Sequence, residues 1–338
     1  MLEVYPWQEK QKQRLLEMQK QQRFPHALLL TGPEGIGLTQ FSLTFAMQIL
    51  CLNKDQKHAN NNPDNACGNC QSCQLFIAGS HPDLLIIEPE EEGKQVKIDQ
   101  IRELIEYVTL KSFSGNHKIA IIKAADAMNR ATANALLKTL EEPPSQSMLF
   151  LLSHRPSNLP ITIRSRCQKV GFQAACDDRA VNWLKQQPIE SNLSAELLLR
   201  LASGGPLKAV KMVEEEQIQH RHTLLNDLKS LSTSHSDPVQ IASNWQALGT
   251  ENVFISLLKL IQDLIRLKLQ KDASNLVNFD LKEDLQDLVN SLDLVALVRN
   301  YDFILFKYQQ STGVMNYNVL SLFEEIVLNW NTPKAATD

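Results

Sequence analysis

The run Gly32-Pro33-Glu34-Gly35-Ile36-Gly37-Leu38-Thr39 follows the spacing of a phosphate-binding loop, G-x-x-x-x-G-K-[ST], with leucine where the lysine belongs. In a working loop the backbone N–H groups and the following helix N-terminus cradle the phosphates. The lysine supplies the point charge that meets the β- and γ-phosphates. Leu38 has no charge to supply. The flanks have the right character: His26 to Leu30 is a short apolar run that reads as a buried strand, and Phe41 to Leu50 carries apolar residues at helical spacing. Strand, loop and helix together commit the first half of the chain to a P-loop fold, and the missing lysine predicts that catalysis has been given up.

A second landmark of such sites is also absent. Working P-loop ATPases end a later strand with acidic residues that hold Mg²⁺ and position water. Here the apolar run Ile119-Ala120-Ile121-Ile122 leads into Lys123-Ala124-Ala125-Asp126. Lysine and alanine stand at the expected acidic positions, and Lys123 would repel a metal cation. Asp126 lies a turn further on, where a carboxylate at a helix N-terminus explains it. Two losses in one site argue against intrinsic ATP hydrolysis.

The remaining pattern predicts an α/β domain followed by an all-α region. At 338 residues the chain exceeds one hydrophobic core, so two or three domains are expected. Asp83 to Glu88, Lys118 to Ile122 and Met148 to Leu152 read as strands. Asp99 to Leu110 and Ala125 to Leu140 read as helices, the second stopped by Glu142-Pro143-Pro144. This alternation implies a parallel sheet. Beyond residue 170 the strand signals vanish, and helices are expected over 177–187, 194–202, 206–215 and, as a longer set, 218–330. Val253, Phe254, Leu257, Leu258, Ile261, Leu264 and Ile265 fall on one helix face, which is core or subunit interface. Residues 331–338 read as a frayed tail.

Three of the six cysteines, Cys67, Cys70 and Cys73, form C-x-x-C-x-x-C, with Cys51 upstream and Cys167 and Cys176 far away. In a reducing compartment such clustering points to metal ligation rather than disulfides. Zn²⁺ takes four tetrahedral ligands, and C-x-x-C turns let backbone N–H groups face the sulfurs. Cys51 is the expected fourth ligand, with His58 and His81 as alternatives. An iron-sulfur cluster uses similar runs, but commonly with a further Cys followed by Pro, which is absent. Four cysteines with no open position predict a structural site. The surrounding segment, 52–66 with Asn60-Asn61-Asn62-Pro63, reads as a solvent loop.

Net charge of −4 excludes a dedicated nucleic-acid binder steered by whole-chain positive potential, although a local basic patch is allowed. Met1 to Lys20 is polar with no apolar core of a signal peptide, and nowhere do eighteen apolar residues run together. A cytoplasmic protein without membrane contact is expected. Glu90-Glu91-Glu92 and Glu214-Glu215-Glu216 read as solvated faces.

The tripeptide Ser165-Arg166-Cys167 follows Leu159-Pro160-Ile161-Thr162-Ile163-Arg164. Taken with Asn134-Ala135-Leu136-Leu137-Lys138-Thr139-Leu140-Glu141-Glu142-Pro143-Pro144, the altered P-loop and the cysteine cluster, it resembles the clamp-loader ATPases of the AAA+ class. The match is closest to the family of δ′ subunits of bacterial DNA polymerase III. Tyr5-Pro6-Trp7 is similar to the start of that family. Gly313-Val314-Met315-Asn316, with the apolar helix after it, is more loosely similar to its last collar helix.

The resemblance implies a P-loop AAA+ type parallel α/β domain over residues 1–169 with a zinc-binding insertion at about 51–75. It further implies a small three-helix lid over 170–213 and a C-terminal helical collar over 214–330 that oligomerises into a ring. Cys51, Cys67, Cys70 and Cys73 fall in the zinc insertion. Gly32, Gly37 and Thr39 match the phosphate loop, while Leu38, Lys123 and Ala124 depart from the competent pattern. Leu207, within Ala202 to Val210, occupies the place of a nucleotide-sensing arginine, and Ser153 and His154 lie near the first sensor position. Arg166 matches the arginine that such subunits present in trans to a neighbouring ATPase. Its charge stabilises the developing γ-phosphate, and its fork suits two phosphate oxygens.

The expected function is therefore that of a non-hydrolysing clamp-loader subunit. It completes a neighbour's ATP site within a hetero-oligomeric ring and helps place the sliding clamp on primed DNA. ATP hydrolysis by this chain is not expected, although the holoenzyme it serves is a DNA-directed DNA polymerase, a nucleotidyltransferase. Two rival readings are a working motor ATPase, which the missing lysine and acids oppose, and a zinc-dependent DNA-binding module, supported only by Lys54, Lys57 and the cysteine cluster.

Overall fold

Short apolar runs set the sheet. Ala27–Thr31 (β1), Leu84–Ile87 (β2), Lys118–Ile122 (β3), Ser147–Ser153 (β4) and Gln168–Gly171 (β5) pair in the order β2-β3-β4-β1-β5, all parallel. The computed structural model describes residues 4–21, 23–53, 65–91, 94–113, 115, 117–232, 237–269, 275–313 and 317–330. β1, β3 and β4 are buried at every position, as parallel strands covered on both faces require. The outer strands β2 and β5 are mixed, and β5 buries only Val170.

The helices of this layer are Glu9–Lys20 (α1), Leu38–Leu50 (α2), Gln71–Ile77 (α3), Ile98–Thr109 (α4), Arg130–Glu141 (α5), Ile161–Arg164 (α6) and Asp178–Lys185 (α7). Strand alternation sends Leu29, Ala120, Ile122, Leu149 and Leu151 to one face, where Ile101, Leu104 and Val108 of α4 and Ala133, Leu136 and Leu140 of α5 pack on them. Phe150 points the other way and meets Phe45 of α2 at 6.4 Å between ring centroids; Phe41 in turn sets its ring edge-on to Phe172 at 4.8 Å. The helix expected over Ala125 to Leu140 is interrupted. Ala125–Ala127 forms one 3-10 turn, and α5 starts only after Asn129, whose side chain accepts from the Thr132 N–H at 2.9 Å.

The chain divides into two compact units, Met1–Gln186 with Ser203–Lys208, and Gln187–Ala202 with Ala209–Asp338. Of the segment 170–213, α7 belongs to the first unit. Ala195–Leu201 (α8) and most of Pro206–Glu214 (α9) belong to the second.

The second unit continues with His220–Ser232 (α10), Pro238–Ala247 (α11), Thr250–Leu269 (α12), Lys282–Ser291 (α13), Leu294–Ser311 (α14) and Val319–Trp330 (α15). The apolar face read from the sequence is core: Val253, Phe254, Leu257, Ile261 and Leu264 are fully buried, with Leu258 and Ile265 packed at the margin. Phe323 joins Trp245 and Phe254 at 6.0 and 5.1 Å. Asp263, fully buried, accepts from the N–H groups of Val277 and Asn278 at 3.0 and 2.8 Å and from Asn278 Nδ2 at 2.8 Å. That carboxylate fixes the turn between α12 and α13, which Arg221 braces through Asp280 at 3.0 Å. No helix of the described residues is long and apolar enough to cross a membrane.

Candidate functional site

The altered phosphate loop leaves β1 at Thr31, which lies in register with Ser153 of β4 and Gly171 of β5. Gly37 caps α2 in the left-handed region, φ 89°, and Gly35 has φ 76°. A side chain at Gly35 would meet the Lys208 backbone nitrogen at 2.4 Å; one at Gly37 would meet the Tyr5 ring at 2.7 Å. The loop has kept its turn chemistry.

What has changed is the surroundings. Leu38 is only 2% exposed, so the position of the missing lysine has become part of the core. Trp7 Nε1 donates to the Ile36 carbonyl at 3.0 Å, and Gln8 Nε2 donates to the Ile36 and Gly37 carbonyls at 2.8 and 3.0 Å. Trp7 is held by stacking on Tyr5 and by an edge contact with Trp183. From the other side the Leu207 N–H donates to the Gly35 carbonyl at 3.0 Å, and Lys208 pairs with Glu34. The Lys208 ammonium is thus matched by the loop's own carboxylate. Leu207, expected at the sensor position, contributes a backbone bond and no charge.

Among the described residues, β3 runs into Lys123 and Ala124 and β4 ends at Ser153 before His154, so neither strand end offers an acid. Lys123, after β3, is paired with Glu88 at 2.6 Å, and Ala124 follows it. Ser153 is fully buried, while His154 Nδ1 donates to the Gly32 carbonyl at 2.9 Å. The Ser153 carbonyl accepts from the Gly32 N–H at 3.4 Å, so both residues contact the first residue of the loop.

The cysteines converge. Cys51 ends α2, Cys70 caps α3, Cys73 sits in its first turn, and the sulfurs of Cys51, Cys67, Cys70 and Cys73 lie within 4.8 Å of one another. Four thiolates about 2.3 Å from a tetrahedral zinc ion stand about 3.8 Å apart, and Cys67 and Cys73 are separated by 3.9 Å. Backbone N–H groups of Cys67, Cys70 and Cys73 donate to the sulfurs of Cys51, Cys67 and Cys70 at 3.4, 3.3 and 3.4 Å. Burial works to raise the Cys70 thiol, but the N–H groups of Cys73 and Leu52 and the neighbouring sulfurs outweigh it and bring the group down to about 7. Burial raises Cys51 and Cys73. The donor set fits a closed Cys₄ ion.

His81, an alternative ligand by sequence, is engaged elsewhere. The Asp83 N–H donates to its Nδ1 at 3.0 Å, so the ring proton sits on Nε2 and faces Ser72 Oγ at 2.8 Å; Ser72 donates its own proton to the Leu50 carbonyl at 2.6 Å. Burial, with Lys118 adding to it against Asp83, holds the His81 pKa below its usual value and the ring neutral. Ser72 thus ties the residue before Cys51 to the residue before Cys73, drawing two cysteine arms together through the protein alone. The sequence reading missed this clamp. Lys54, Lys57, His58 and Asn60 to Pro63 lie outside the described residues, as do Glu92, Val314 to Asn316 and 331–338.

Arg166 lies between α6 and β5. Ile163 and Cys167 on either side are buried, while the arginine side chain is about a third exposed. Its Nη1 donates to the Thr162 carbonyl at 2.9 Å and its Nη2 pairs with Glu141, the last residue of α5, at 2.5 Å. Cys167 is a core residue whose thiol burial pushes up to about 11, and Cys176 is exposed; neither approaches the cysteine cluster.

A parallel sheet with β1 flanked by β4 and β5, and a G-x-x-x-x-G-x-T turn leading from β1 into a helix, defines a P-loop α/β domain. Family comparison narrows this. The family model described as DNA polymerase III, delta subunit, matches residues 7–175, and the corresponding C-terminal family model matches 215–332. The DNA polymerase III subunit δ′ of Pseudomonas aeruginosa is 31% identical over 331 residues, covering 98% of each chain. That of Escherichia coli is 31% identical over 314, covering 92% of this chain and 91% of its own. The Yersinia pestis protein of the same name is 28% identical, covering 97% and 95%. The chain belongs to the family of δ′ subunits of bacterial DNA polymerase III.

Proposed function

We propose that this chain is a non-hydrolysing subunit of a clamp loader that serves DNA polymerase III in the cytoplasm, in a hetero-oligomeric ring that places a sliding clamp on primed DNA. The observation that carries the reading is the loss of charge at the phosphate loop. Leu38 is buried, Lys208 is spent on Glu34, and Lys123 with Ala124 stands where Mg²⁺ would need carboxylates. Gly32, Gly37 and Thr39 then serve as scaffold for a turn and not as a nucleotide site. Residues 1–169 act as an ATPase-like domain and 170–213 as its lid, while 214–330 form the collar that joins neighbours.

Arg166 is the residue given a part in chemistry. It extends from a segment anchored by Ile163 and Cys167 and brings a permanent positive charge to a neighbour's γ-phosphate. Cys51, Cys67, Cys70 and Cys73 would hold Zn²⁺, which closes the insertion and supplies no reaction. Ser72 and His81 keep those thiols gathered. The test is purification of this chain with a P-loop-competent relative, followed by phosphate release with primed DNA and clamp. The mixture should hydrolyse ATP and the isolated chain should not. Turnover by the isolated chain would overturn the reading.

A further inference from the structure

Arg166 is held by a partner that the motif itself does not contain. We propose that Glu141 is a positioning residue for Arg166, fixing the guanidinium in one place on its own chain; this rests on the trans-acting role given to Arg166 above. The guanidinium carries five N–H donors. One meets the Thr162 carbonyl at 2.9 Å and one meets Glu141 at 2.5 Å, which leaves three for an incoming anion. The two contacts come from different elements, one from the turn that carries the arginine and one from the end of α5, so together they set both place and orientation.

Both anchoring backbones are rigid. Leu140 is buried and its carbonyl accepts from His26 Nε2 at 3.0 Å, which ties the end of α5 to the start of β1. The Arg166 N–H donates to the Ile163 carbonyl at 3.1 Å between two buried side chains. A free arginine loses considerable rotamer freedom when it docks on phosphate, and an arginine already held by its own chain loses less. Glu141 is half exposed, so the hold is solvent-screened and yields to a neighbour's geometry without unfolding anything.

Exposed ion pairs of this kind support an effect of about twofold to fivefold on rate. Glu141→Ala, assayed in the reconstituted complex with primed DNA and clamp, should lower kcat by about that factor and leave KM for ATP unchanged. Glu141→Gln, which keeps length and an acceptor, should recover part of the loss, and Glu142→Ala, the same charge change one residue on, should have no effect. The decisive arm is the double variant. Glu141→Ala should add nothing to Arg166→Ala, because it acts only through that side chain. An unchanged kcat in Glu141→Ala, a rise in kcat, or a further fall in the double variant would each overturn the proposal while leaving the role of Arg166 intact. If Arg166→Ala alone leaves turnover unchanged, the role of Arg166 fails, and this proposal with it.

Discussion

Restoring the missing lysine tests whether the loop is merely mutated or structurally committed to inactivity. Leu38 is 2% exposed, and full burial of a leucine contributes about 1.5–3 kcal/mol. Leu38→Lys removes that term, and the loop's own carboxylate, Glu34, is already paired with Lys208. A lysine stem can thread towards solvent and recover part of the apolar contact, so a cost of about 1–2 kcal/mol is expected for the first unit. For a domain of this size each kcal/mol moves the midpoint by about 2–4 °C, so Tm should fall by about 2–8 °C. Leu38→Met, which conserves volume, should cost less than about 1.5 kcal/mol. Scanning calorimetry checks both. Phosphate release by the Leu38→Lys chain should stay at background, because the strand ending at Ile122 still offers Lys123 and Ala124 to a metal that needs carboxylates. A variant that melts with the parent, or that turns ATP over, refutes the reasoning.

Two further outcomes concern the cysteine cluster. Elemental analysis should find about one zinc per chain, and Cys70→Ser should expose the insertion to protease while the second unit keeps its helicity; no metal, an iron absorption band, or global unfolding of the variant would contradict this. Ser72→Ala leaves the Leu50 carbonyl and the His81 Nε2 proton without a partner, so chelator competition should show zinc affinity weakened by about tenfold or more. Equal affinity in that variant would mean the clamp does not preorganise the site.

Continuous apolar runs made β1, β3 and β4 legible, since a strand buried on both faces leaves no other pattern. The cysteine spacing marked Cys67, Cys70 and Cys73, and their sulfurs gather with that of Cys51 to within 4.8 Å of one another. β5 was not legible, because an edge strand that buries only Val170 within Gln168–Gly171 carries almost no hydrophobic signal. α1 was missed for a similar reason: among Glu9–Lys20 only Lys12, Leu15 and Leu16 are buried. The helix expected from Ala125 was begun too early because apolar spacing continues across Asn129, where a side-chain cap decides the start. At the site, spacing showed what the loop lacks but not what packs against it. Trp7 and Gln8 reach Ile36 across about 28 residues of sequence, and Lys208 reaches Glu34 across a still longer interval. Such contacts are tertiary and leave no local period. The Glu141 contact with Arg166 is of the same kind.

The measurement that bears most directly on the account is the ATPase of the assembled complex carrying Arg166→Ala. Ile163 and Cys167 are buried on either side of Arg166 while its own side chain is about a third exposed, so the variant should fold and join the ring as the parent does. With primed DNA and clamp present, kcat should fall while ATP affinity changes little. The site that depends on this finger should lose roughly 10³ in rate, and the sites that use other arginines should persist, so that the total loss is partial. Arg166→Lys should rescue poorly, since a point charge lacks the bidentate fork. An Arg166→Ala complex that assembles and hydrolyses ATP at the parental rate would contradict the trans-acting role and leave Arg166 as a structural partner of Glu141.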